Sequence, residues 1–119
     1  MEVMMNERSQ SPIFARTSDF MLWLLNHTEK FPKNERFRMA KRLEDSAFKF
    51  YEFLIESTRT KKRKRQLLLK ADVELEKLRL YLRMSQQRKL TSHSQYRFAY
   101  GTLVEVGKLL GSWIKIIPE

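Results

Sequence analysis

Apolar residues recur along this chain at alternating steps of three and four, the spacing that puts side chains on one face of an α-helix. The clearest instance runs Leu68, Ala71, Leu75, Leu78, Leu82 and Ser85. It predicts a long helix that starts inside a basic run, ends near residues 88–90 and packs in a bundle. Upstream, Ser11 and Pro12 suit an N-cap and first helical position, where proline's missing amide costs nothing. The helix they open carries Phe14, Met21, Leu22 and Leu25 towards Thr28. Phe31 before Pro32 stops it, since a residue preceding proline is pushed out of helical geometry. A second helix is expected from Pro32 or Asn34 to about Thr58, with Phe37, Ala40, Leu43, Ala47, Phe50 or Tyr51, and Leu54 as its stripe. The fourth opens at Ser92-His93-Ser94-Gln95, a capping box in which residues 92 and 95 satisfy each other's free amides. Its stripe is Tyr96, Ala99, Leu103, Val106, Leu110, Trp113 and Ile117.

No alternating run of β-branched residues interrupts these patterns, and only 3 Gly and 3 Pro punctuate the chain. The fold class is therefore all-α. Short connections between long helices favour an antiparallel up-down-up-down four-helix bundle. One domain is expected over residues 11–119, after a loose polar leader over residues 1–10. The apolar residues exceed what one core needs. Leu67, Leu68 and Leu69 are consecutive and, at about 100° per residue, cannot share a face. Leu80, Phe98, Leu109 and Ile116 also fall off the stripes. Either the core stripe is wide or a second surface is buried, most simply between subunits. Gly107 and Gly111, four apart, fit a close approach of another backbone or plain helix packing.

Charge narrows the partners. The 24 Lys+Arg outnumber the 14 Asp+Glu, for a net charge of +10. That surplus favours a polyanion, nucleic acid or an anionic membrane surface. Stripes committed to bundle packing leave little for a membrane, and the apolar runs around residues 20–25 and 106–117 are too short or interrupted to span one. No secretion signal is evident at the start, so a cytoplasmic protein is expected. The cations fall in two groups. Lys30, Lys33, Arg36, Arg38, Lys41 and Arg42 gather about the start of the second helix, with Glu29 and Glu35 among them. Arg59, Lys61, Lys62, Arg63, Lys64 and Arg65 lead into the third. Both suit phosphate binding, Arg through bidentate hydrogen bonds and Lys as a point charge. The plainer alternative is a solvated helix face with pairs such as Glu35 with Arg38 and Glu44 with Lys41. Phe48, Phe50, Tyr51, Phe53, Tyr96 and Trp113 fall at helical spacing and read as core. Shape and backbone charge are then expected to dominate RNA binding.

Candidate chemistry is sparse. With no cysteine, disulfides, thiolate metal sites and a cysteine nucleophile are excluded. Arg88 and His93 have the Arg-x4-His spacing of the helical HEPN ribonucleases, in which His93 would be the general acid or base and Arg88 would hold the scissile phosphate. Lys89 stands where a polar partner belongs, and His93 is more simply the first residue of a capped helix. His27 has no partner at ligand spacing, and Glu74 and Glu76 point to different faces. No catalytic residue, metal site or cofactor is predicted.

Three strings, FMLWLLNHTEKFPKNERFRMAKRL (residues 20–43), ADVELEKLRLYLRM (residues 71–84) and VGKLLGSWIK (residues 106–115), resemble one family in the same order. It is Avd, the accessory variability protein of diversity-generating retroelements, related to the four-helix proteins encoded in 23S ribosomal RNA intervening sequences. The resemblance implies a homopentameric barrel of four-helix bundles. It implies binding of the element's reverse transcriptase, of template RNA and, by the same charge, of DNA, in support of mutagenic cDNA synthesis. Arg79 and Arg83 could then reach RNA or the polymerase, but Asp72 and Glu76 lie on the same side, and the spacing of the four by four, three and four is that of a surface ion-pair ladder, which with Leu80 and Leu109 also suits a subunit interface. An RNA-binding role of the intervening-sequence type is the alternative within the same fold.

Overall fold

The computed structural model describes residues 10–119, so all of the expected leader except Gln10 lies outside the described residues. Those residues form four α-helices: α1 (Ser11–Thr28), α2 (Lys41–Ser57), α3 (Lys64–Gln87) and α4 (His93–Ile116). Among the described residues there is no strand. The chain reverses at each connection. α1 packs on α2, α2 on α3, α3 on α4, and α4 closes back on α1. The result is the expected up-down-up-down bundle, 49 Å long and about half as wide.

The helix ends have local causes. Pro12 occupies the first turn of α1, and Pro32 sits in extended geometry after α1 has ended at Thr28. Both bonds of the capping box at α4 form: the Ser92 hydroxyl accepts from the Gln95 amide and the Gln95 side chain accepts from the Ser92 amide. Between α3 and α4 the chain turns through Lys89, which takes the left-handed conformation at φ 63°. This lets the amides of Leu90 and Thr91 both bond the Ser85 carbonyl, at 2.8 and 3.2 Å, and closes the end of α3.

The core follows the predicted stripes of α3 and α4 closely. Leu68, Ala71, Leu75, Leu78, Leu82 and Ser85 are all buried, as are Ala99, Leu103, Val106, Leu110 and Trp113. Tyr96 and Ile117 lie at its margin. Leu67 joins the core, while Leu69 faces outward. α1 departs from expectation. It buries Ile13, Thr17, Phe20, Leu24 and His27, a run about one residue away from the expected one, and leaves Leu22 and Leu25 exposed. Leu43 and Leu54 of α2 are buried with Ala47 and Phe50, whereas Tyr51 is only half-buried.

The start of the second helix is irregular. A 3₁₀ turn, Lys33–Glu35, leads into a π-helical turn, Arg36–Ala40, before α2 proper begins. A π turn carries one more residue than an α turn, so it rotates the preceding side chains relative to the α2 stripe. Met39 and Ala40 turn inward, and Phe37 turns out to 80% exposure instead of joining the core.

Candidate nucleic-acid interface

Reversal of the chain puts the two basic groups at opposite ends of the bundle. Lys30, Lys33, Arg36, Arg38, Lys41 and Arg42 surround the α1–α2 connection, and all are exposed. The α3–α4 connection shares this end and adds Arg83, Arg88, Lys89 and Arg97. Residues 28–45 and 81–97 together hold ten Lys/Arg and four Asp/Glu, and all four acids lie in the first segment. Arg88 and Lys89 come from a connection with no dense charge run. Only the folded chain brings them beside the first group.

This end is organised by buried polar groups. Glu35 is 2% exposed. Its carboxylate accepts a hydrogen bond from Arg88 at 2.7 Å and lies 3.7 Å from Arg38. The Arg88 hydrogen bond holds its pKa below the ordinary carboxylate range, against the opposing effect of burial and with help from the charges of Arg88 and Arg38. The Glu35 pairing with Arg38 is therefore present but secondary. The expected pair of Glu44 with Lys41 is not made. Glu44 accepts from the Thr28 hydroxyl at 2.6 Å, and Lys41 pairs with Asp45 at 2.9 Å.

A second polar set lies deeper. His27 stacks on Trp23, and its Nε2 shares a hydrogen bond with Thr91 Oγ1 at 2.8 Å. Thr91 Oγ1 is also 2.8 Å from Ser85 Oγ, which donates to the Leu82 carbonyl at 2.7 Å. Ser85 has one hydroxyl proton, committed to that carbonyl, so Thr91 donates to Ser85 and His27 Nε2–H donates to Thr91. His27 is thus a core histidine tying α1 to the α3–α4 connection. Burial, then the charge of Lys30, lowers its pKa and keeps it neutral.

At the other end, Arg59, Lys61, Lys62 and Arg63 are exposed in the α2–α3 connection. Lys64 and Arg65, expected to bind phosphate with them, are placed differently. Lys64 is buried with its ammonium 6.0 Å from the centre of the Trp113 ring. Arg65 donates to the carbonyls of Ile114 and Ile117 at 3.3 Å, capping the end of α4. Helical position accounts for both, because residues 64 and 65 already belong to α3 and face α4.

The expected ladder on α3 is also broken up. Arg79 lies 3.5 Å from Glu76 but extends across Gly107 of α4 to donate to the Leu103 carbonyl at 3.3 Å. A Cβ at position 107 would collide with that guanidinium, so the close approach at Gly107 is made within the chain. Leu109 packs against the chain's own core. Leu80, in contrast, is exposed with Leu69 and Val73. At about 100° per residue these three lie within about 40° of each other and opposite the buried stripe. Asp72, Glu76 and Arg83 border them.

No hydrogen bond joins Arg88 and His93. Arg88 is engaged by Glu35, while His93, exposed at the start of α4, contacts Arg97 at 3.2 Å. Among the described residues no group of His, Asp and Glu has the arrangement of a metal site, and no helix is long and apolar enough to cross a membrane.

These features define a basic four-helix bundle whose polar side chains organise one end of the body. The chain belongs to the bAvd-like family, whose model matches residues 12–117, and the resemblance carried by the three strings is borne out. Its fold is similar to that of a protein of unknown function from the S23 ribosomal protein family of Bacteroides thetaiotaomicron VPI-5482. The two are 18% identical with a TM-score of 0.81, over 89% of this chain and 97% of the other. At that identity the likeness speaks for the fold alone. No curated protein sequence matches the chain.

Neutral His27 and ionised Glu35 give stability the same pH dependence. Where the folded-state pKa is lowered, the unfolded chain takes up protons first and acid favours unfolding. Stability should be full above the ordinary histidine value of 6.5 and decline as pH falls towards the lowered value in the fold. A further decline should follow below the ordinary glutamate value of 4.5, as Glu35 is protonated. Urea midpoints measured across this range should fall with acid, and His27→Gln should flatten the upper step. A midpoint that rises as pH drops from 7 to 5 would contradict the assignment.

Proposed function

We propose that this chain is a non-catalytic accessory protein of a diversity-generating retroelement, which holds template RNA beside the reverse transcriptase during mutagenic cDNA synthesis. The observation that carries this reading is the charge at the α1–α2 and α3–α4 end. Ten cations face four acids there, and Glu35 is already neutralised beneath Arg88. Such a surface binds phosphates with little regard to sequence, and DNA as well as RNA. The resemblance to Avd points to the polymerase as the second partner. Holding two partners on one body raises the effective concentration of each for the other, which needs no catalytic group.

Copies of the chain assemble through the outward stripe of α3, Leu69, Val73 and Leu80, into the homopentamer that the family resemblance implies. Charged groups beside the stripe, Asp72, Glu76 and Arg83, fix its register. Five copies would carry a formal charge of 5 × 10, or +50. Light scattering coupled to size exclusion should return about 72 kDa, five times 14.4 kDa. Val73→Glu with Leu80→Glu should give a helical monomer. A wild-type monomer at micromolar concentration would rule this assembly out.

RNA binding should weaken steeply with salt, each phosphate contact adding about 0.7 to 0.9 to the slope of log affinity against log salt. Arg36→Ala, Lys41→Ala and Arg42→Ala together should flatten that slope and impair cDNA synthesis by the reverse transcriptase, with the oligomer intact. His93→Ala should leave cDNA synthesis unchanged. RNA cleavage by the isolated protein that disappears with His93→Ala would overturn the adaptor reading in favour of a ribonuclease.

A further inference from the structure

The most exposed large apolar side chain among the described residues lies at a basic end of the bundle. Phe37, on the π turn, is 80% exposed. It lies in an open groove of about 600 Å³ with Arg38, Arg42, Tyr81, Met84 and Arg88. Regular helical spacing would have put residue 37 on the buried stripe, three positions before Ala40. The π turn rotates it out, and such turns recur at functional sites because they re-aim a side chain at a cost in backbone regularity. Among the described residues nothing covers the ring. Of the groove's charges, Arg88 is held by buried Glu35 at 2.7 Å, Arg38 is only loosely paired at 3.7 Å, and Arg42 has no acidic partner among the described residues.

We infer that Phe37 is a stacking platform for an unpaired base of single-stranded RNA, whose flanking phosphates are held by Arg38 and Arg42. An aromatic face offers every base the same stacking contact, and cations beside it track the backbone, the combination used to bind single strands without sequence preference. A duplex keeps its bases stacked on one another and cannot use the ring. The groove therefore distinguishes single strand from duplex, which phosphate contacts alone do not. Its acidic group is buried and neutralised, so the exposed rim is cationic and complements nucleic acid better than an apolar protein surface. This rests on the nucleic-acid reading above and adds to it a base contact.

The test uses the full-length protein and a uridine oligomer of about ten nucleotides with one central 2-aminopurine, beside an RNA duplex of the same length. Binding of the single strand should quench the 2-aminopurine. Phe37→Ala should weaken single-strand binding by about 5- to 150-fold, the loss expected for one aromatic–base stack. It should also abolish the quench and leave duplex affinity, salt slope and oligomer mass unchanged. Phe37→Tyr should retain the affinity and Phe37→Leu should not, since leucine is apolar but has no π face. Equal losses for single strand and duplex, or a leucine variant as good as tyrosine, would overturn the proposal. A fall in oligomer mass in Phe37→Ala would also overturn it, because the ring would then be covered by a second copy. Wild-type protein that binds neither RNA at low salt would sink the broader nucleic-acid reading. Wild-type binding that is indifferent to residue 37 would sink only this one.

Discussion

Burying the Glu35 carboxylate would be costly without a cation to replace its water, and the basic end of the bundle is arranged around that need. Arg88 supplies the cation from the α3–α4 connection and Arg38 from the π turn. The pairing pins the irregular segment before α2 to the α3–α4 connection. Beside it, the run from His27 through Thr91 and Ser85 to the Leu82 carbonyl fastens α1 to the same connection. Both sets draw on groups that two loops bring together. With the loops fixed, the remaining cations at this end are presented on a firm base instead of on free chain, which on the proposed function would lower the entropy lost on binding.

The bundle was legible because its signals are local. The stripes of α3 and α4, the Ser92–Gln95 capping box and the stop at Pro32 depend on neighbours within a turn or two. The α1 stripe was less so, because Leu22 and Leu25 are as apolar as Phe20 and Leu24 and periodicity alone does not choose between adjacent faces. The π turn escaped for a similar reason. It inserts one residue into an otherwise regular pattern, and Phe37 fits the α2 stripe until that insertion moves it.

The candidate site was only half visible for a different reason. Density of charge marks a basic region but does not say which members face outward. Lys64 and Arg65 belong to the charge run and yet serve Trp113 and the end of α4, because helix α3 has already begun at residue 64. Arg79 fitted a surface ladder until Gly107 opened a path across α4. The bond between Glu35 and Arg88 joins residues 53 apart, a pairing that no local pattern contains. This bond gives Arg88 a structural role that its spacing from His93 does not reveal.

On the proposed function, nucleic acid is held at the end of the bundle where the α1–α2 and α3–α4 connections meet. Photo-cross-linking with 4-thiouridine-substituted single-stranded RNA, followed by peptide mapping, tests it directly. Adducts should concentrate on peptides covering residues 30–42 and 81–89, with weaker labelling at residues 59–63. Adducts confined to the outward stripe of α3, or spread evenly along the body, would contradict it.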